Sequence, residues 1–121
     1  MTRTGLLAGA ALAALALALP SAAMSHPKLK GDVGPGFTIH LKDSSGKTVK
    51  TLGPGMYTIT VVDRSPIHNF VLRGPGLNKE ITGVGFSGTK TVTVTLKKGT
   101  YEYVCTPHAS IPSMRGFFKV R

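Results

Sequence analysis

Four side chains in this sequence offer soft metal donors. His68 stands in Pro66-Ile67-His68-Asn69-Phe70, at the entrance to a strand. Cys105 and His108 stand in Cys105-Thr106-Pro107-His108, leaving another strand, and Met114 is followed by Gly116 and a last strand. Together they supply one thiolate, two imidazoles and one thioether. Thiolate and thioether suit Cu(I), whereas imidazole and thiolate suit Cu(II). Two imidazoles and a thiolate near one plane, with a weak axial methionine, therefore accept both oxidation states with little rearrangement. Such a site suits the passage of single electrons. Zinc also accepts imidazole and thiolate, but the thioether favours copper. The Cys-x2-His spacing lets one tight turn supply two donors, and Pro107 restricts Thr106 to extended conformations. His68 comes from a distant segment, so a shared ion must pin two loops at one end of the domain.

The elements that position these loops read as short strands. Phe37, Ile39 and Leu41 alternate with Thr38, His40 and Lys42, and Tyr57, Ile59 and Val61 alternate with Thr58 and Thr60. Val92, Val94 and Leu96 alternate with threonines, and Tyr101, Tyr103 and Cys105 share one face. Period-two patterning rich in Thr, Val and Tyr predicts half-buried antiparallel strands. Further candidates are 48–52, 70–72, 80–84 and 117–120. About eight strands with no sustained helical period predict an all-β sandwich or barrel. Gly-Pro-Gly occurs at 34–36, 53–55 and 74–76, spacings that punctuate hairpins. Residues 74–90, rich in Gly and Thr, predict a long crossing connection. His40 falls on the face opposite Ile39 and is expected to be solvated, and Met56 to fill a turn or core position.

A chain of 121 residues forms one small domain. Residues 6–19 are all Leu, Ala or a single Gly, with Arg3 before them and Pro20-Ser21-Ala22-Ala23 after. The run is too short to span a bilayer as a helix and has the layout of a secretory signal peptide. The expected division is therefore 1–23 signal peptide and 24–121 domain. The mature protein is expected to be exported, periplasmic or extracellular, with no membrane span after cleavage. Cleavage after Ala23 would make Met24-Ser25-His26 an N-terminal sequence able to chelate Cu(II) through nitrogen. The single cysteine excludes an internal disulfide and any zinc site built on several thiolates.

The pattern Pro-x-His-Asn-Phe, then Tyr-Val-Cys-Thr-Pro-His, then Met-x-Gly before a last strand, resembles the cupredoxins, in particular the plastocyanin and pseudoazurin branch of blue-copper electron carriers. The likeness spans roughly residues 34–121. It implies a Greek-key β-sandwich holding one copper ion through His68, Cys105, His108 and Met114. It also implies that Asn69 ties its loop to the Cys105 loop through Thr106. One departure stands out: plastocyanin-like loops usually run Cys-x2-His-x4-Met, whereas five residues separate His108 from Met114 here. That extra residue bears on the axial position.

The main expectation is a carrier cycling Cu(I)/Cu(II); with no second metal cluster or acid–base pair in the sequence it is not expected to be an enzyme, and it is expected to be a monomer. By the same resemblance His108 would lie near the surface inside an apolar collar of Ile67, Pro107, Ile111 and Pro112. The formal charge of +10, of which Arg3 contributes one, suits attraction to an acidic redox partner. It equally suits a set of lysines that only keep the domain soluble. Nucleic acid is not expected, since no binding motif accompanies the charge. The alternative function is copper handling, as a chaperone or store outside the cytoplasm.

Overall fold

The computed structural model describes residues 25–121 together with Gly9. The rest of the apolar run, the expected cleavage point after Ala23, and Met24 lie outside the described residues. Among the described residues there are nine strands: β1 (Lys28–Val33), β2 (Ile39–Asp43), β3 (Thr51–Leu52), β4 (Gly55–Asp63), β5 (Phe70–Gly74), β6 (Leu77–Thr82), β7 (Gly88–Leu96), β8 (Gly99–Val104) and β9 (Arg115–Val120). They form two sheets, ordered β2-β1-β4-β7 and β3-β9-β8-β5-β6. β1 runs parallel to β4 and β3 to β9, while the other neighbours are antiparallel. The expected all-β sandwich is present. No helix among the described residues is long and apolar enough to cross a membrane.

The inward faces follow the alternation read from the sequence. Tyr57, Ile59 and Val61 on β4 meet Leu29 and Val33 on β1, and pack against Phe70, Leu72, Tyr101 and Phe118 of the other sheet. Aromatic rings run through this core: Phe70 stacks on Tyr103 with centroids 6.1 Å apart, and Tyr101 on Phe118 at 5.3 Å. Burying such side chains contributes about 1.5–3 kcal/mol each. Gly116 admits the Tyr103 ring, which occupies the space a Cβ would need.

Three expectations need correction. β1 escaped the pattern because Gly31 breaks its apolar alternation. The Phe70 ring fills that gap, 2.9 Å from where a Cβ would stand. Residues 74–90 are not a long connection: β5 and β6 form a hairpin across Pro75-Gly76, with Gly76 at φ 67. Only 83–87 cross to the other sheet. β6 is an edge strand whose first four residues are not buried, so it carries no apolar period. Finally, the 48–52 candidate shrinks to Thr51–Leu52.

The turn after β2 rests on Asp43, whose Oδ1 accepts from Ser45 Oγ at 2.6 Å, Ser45 N–H at 2.9 Å and Lys47 N–H at 3.0 Å. The Ser45 hydroxyl, followed by the Lys47 amide, holds the Asp43 carboxyl below the usual carboxylate range. A depressed carboxylate contributes stability above its unfolded pKa, about 3.9, and loses it as pH falls through the folded value. Asp43→Ala is therefore expected to lower the melting temperature at pH 7, and the gap from wild type should close toward pH 2. Thermal unfolding at both pH values checks this; a gap that persists in acid assigns the effect to something other than the charge.

Candidate metal centre

Four loops converge at one end of the sandwich: 34–38 after β1, 64–69 after β4, 83–87 after β6 and 105–114 after β8. The last is a succession of tight turns. His108 N–H donates to the Cys105 carbonyl at 3.1 Å, Ile111 N–H to His108 at 2.9 Å, and Met114 N–H to Ile111 at 2.9 Å. Cys105 N–H closes the loop by donating to the Met114 carbonyl at 3.0 Å. Turns of this 3-10 kind eclipse side chains three apart, and Thr106–His108 and Pro112–Met114 have that form. Cys105, His108 and Met114 lie at multiples of three along the loop. The extra residue thus makes the interval from His108 to Met114 two whole turns, and Met114 ends fully buried beside the Cys105 backbone.

His68 reaches the same point from the 64–69 loop. Its ring is fully buried, and its Nε2–H donates to the Gly36 carbonyl at 2.9 Å. That bond fixes the tautomer and leaves the Nδ1 lone pair free to bind a metal. The Cys105 Sγ lies 3.6 Å from His68 Nδ1 and 3.4 Å from His108 Nδ1, and the two Nδ1 atoms are 3.1 Å apart. A point in the plane of these three atoms lies about 2 Å from each, the range in which imidazole nitrogen and cysteine sulfur bind a first-row ion. Among the described residues this is the one cluster of three or more His, Cys, Asp or Glu donors able to hold a metal. One soft thiolate with two imidazoles is a donor set that fits copper.

Burial pushes the Cys105 thiol above its ordinary range; the backbone N–H groups of Asn69 and His108 pull it down, and the Asp63 carboxylate adds to the rise. A metal bound there displaces the thiol proton. Asn69 joins the two loops as the sequence implied: its Oδ1 accepts from Thr106 N–H at 2.8 Å, and its Nδ2 donates to Thr106 Oγ1 at 2.8 Å. The same amide reaches Glu80 at 3.3 Å.

Sequence reasoning missed the 34–38 loop. Phe37 belongs to no strand; its ring meets the His68 and His108 rings edge-on, with centroids 5.2 and 4.9 Å away. Ser113 Oγ donates to the Phe37 carbonyl at 2.5 Å, so this loop grips both the His68 and the Cys105–Met114 segments. Only the Gly-Pro-Gly before it marked the position, and a turn signal says nothing of what the turn touches. The exposed rim includes Ile67, Pro107 and Pro112, as expected, and gains Phe37 and Val84; His108 and Ile111 are half-buried. Val84 arrives because Gly85 N–H donates to the Pro66 carbonyl at 2.7 Å.

Other candidates stand apart. His40 bonds Asp32 at 2.9 Å on the outer face of the β2-β1-β4-β7 sheet. Met56 is exposed at the start of β4, not in the core. The positive charge does not encircle the site: Arg64 is the single charged residue in the four converging loops.

A model of copper-binding proteins of the plastocyanin/azurin family matches residues 51–121. The chain belongs to that family. The match covers β3 to β9 and includes His68, Cys105, His108 and Met114. Solved structures agree on the fold. Auracyanin A, a "blue" copper protein from the green thermophilic photosynthetic bacterium Chloroflexus aurantiacus, is 22% identical, with a TM-score of 0.54 over 80% of this chain and 100% of its own. Rusticyanin from Thiobacillus ferrooxidans is 24% identical, with a TM-score of 0.53 over 78% of this chain and 76% of its own. No curated protein matches the sequence.

Proposed function

We infer that the protein is an exported blue copper electron carrier in which His68, Cys105, His108 and Met114 would hold one copper ion. The observation that carries this reading is the triangle of Sγ and two Nδ1 atoms, already gathered at metal-binding separation. Copper, when bound, supplies a one-electron couple. The chain's own residues do the rest. The Gly36 carbonyl orients His68, Asn69 locks the two ligand loops together, and burial of His68, Cys105 and Met114 excludes water. His108 is the less buried imidazole and is flanked by the apolar rim, which favours brief contact with a redox partner. A rigid frame keeps the donors in place across both oxidation states, which lowers reorganisation. The rim and the scarcity of charge around it favour a monomeric carrier whose partner docks by apolar contact. The buried, bonded site favours this role over a copper chaperone, which needs ligands free to exchange.

The test is a visible spectrum of the Cu(II)-loaded protein combined with voltammetry. An intense blue band and fast reversible one-electron reduction are expected. Copper held only as Cu(I), passed to an acceptor protein and electrochemically silent, would assign the protein to copper handling.

A further inference from the structure

Six of the fifteen Lys and Arg residues lie at the end of the sandwich away from the metal loops. Strand direction fixes the placement: β1, β4, β6 and β8 begin at that end, and β2, β5, β7 and β9 finish there. Lys97 and Lys98 form the turn between β7 and β8. Gly99, which follows them, pairs with Val120, setting the turn beside Lys119 and Arg121. Lys119 N–H donates to the Lys50 carbonyl at 3.0 Å, and Arg121 N–H to Leu52 at 3.0 Å, which brings Lys50 to the same corner. Lys28 opens β1 at the same end. All six side chains are exposed, and among the described residues none of them forms an ion pair. Asp43, which ends β2 there, has its Oδ1 committed to the Ser45 and Lys47 turn. No carboxylate offsets these charges by an ion pair, so the patch presents net positive charge to solvent.

The chain also enters the domain at this end: Thr58 N–H donates to the Pro27 carbonyl at 3.0 Å, just ahead of β1. The apolar run over 6–19 precedes Lys28 by eight intervening residues. At roughly 3.3–3.6 Å per residue, that stretch keeps the run within about 30 Å of the basic end. Until it is cleaved the run therefore holds the chain at the membrane with this end nearest the headgroups, and clustered Lys and Arg side chains next to a membrane attract anionic headgroups.

We propose that the end bearing Lys28, Lys50, Lys97, Lys98, Lys119 and Arg121 docks on an anionic lipid surface, with the metal loops facing away from it. This posture leaves the His108 rim open to a partner in the aqueous phase. The docking does not depend on copper, so metal-free and copper-loaded protein should bind lipid alike, and its failure leaves the redox reading intact.

Co-sedimentation of the mature protein, residues 24–121, with vesicles tests it. Vesicles containing phosphatidylglycerol should bind the protein about tenfold or more tightly than pure phosphatidylcholine at low salt, and 0.5 M salt should remove the difference. Lys97→Glu/Lys98→Glu should bring binding down to the neutral-vesicle level. Arg64→Glu/Lys90→Glu changes the charge equally but lies toward the metal-loop end, and should keep most of the preference. Equal binding to both vesicle types overturns the proposal, as does an equal loss in the two variants. Retention on immobilised poly-glutamate without any preference for anionic vesicles also overturns it, in favour of an acidic protein partner.

Discussion

Replacing Cys105 with serine is expected to remove the intense visible band of the copper-loaded protein entirely. That band requires a Cu(II)–thiolate bond, and Cys105 is the only cysteine in the chain. Its sulfur is fully buried, 3.4 Å from His108 Nδ1 and 3.6 Å from His68 Nδ1, so no solvent ligand can take its place in the triangle. A serine hydroxyl is a hard donor that stays protonated and stabilises Cu(I) poorly. The two imidazoles remain, so Cu(II) should still bind, weakly and almost without colour. Serine is nearly isosteric, and the Asn69 and His108 amides that face the sulfur can face an oxygen. The melting temperature of the metal-free protein should therefore change by only a few degrees. Absorption spectra of the loaded variant and thermal unfolding of the metal-free one check both halves. An intense band in the variant would place the chromophore elsewhere.

The second large effect is expected at Asn69. Its side chain is 2% exposed and makes two 2.8 Å bonds to Thr106, one to the backbone N–H and one to the hydroxyl. Asn69→Ala removes both and leaves the Thr106 amide without its protein acceptor. Each bond contributes about 0.5–1.5 kcal/mol, and Thr106 itself is exposed, so water can reach the freed amide. A loss of about 1–3 kcal/mol follows, or roughly 5–20 °C in melting temperature for a domain of this size. Thr106→Val keeps the amide bond and removes only the hydroxyl acceptor, so about 1 kcal/mol is expected there. Copper should also leave Asn69→Ala faster, because the two ligand loops are no longer tied. Denaturant unfolding and the rate of copper transfer to a chelator measure the two effects. An Asn69→Ala melting temperature within about 3 °C of wild type would mean that other contacts hold the loops in register.

The candidate donors were legible in the sequence because their chemistry depends on residue type and local spacing. Cys105, His108 and Met114 lie in one short loop, and a turn with a three-residue repeat brings such neighbours to one side whatever surrounds it. His68 was legible by chemistry alone, since a thiolate and one imidazole do not complete a copper site. The strands with unbroken alternation, β4, the second half of β7, and β8, were equally readable.

What the sequence could not display is whatever depends on contacts between remote segments. β1 hides behind Gly31 because its partner there is the Phe70 ring, 39 positions further along the chain. β6 lacks a pattern because an edge strand exposes most of its side chains. Phe37 and Gly36 join the site through a carbonyl and a ring edge, interactions that leave no periodic trace. The charge gives the clearest division. Composition fixed its sign and size, but a net charge has no position. The alternating direction of the strands decided that Lys50, Lys97, Lys98, Lys119 and Arg121 meet at one end and the candidate metal donors at the other.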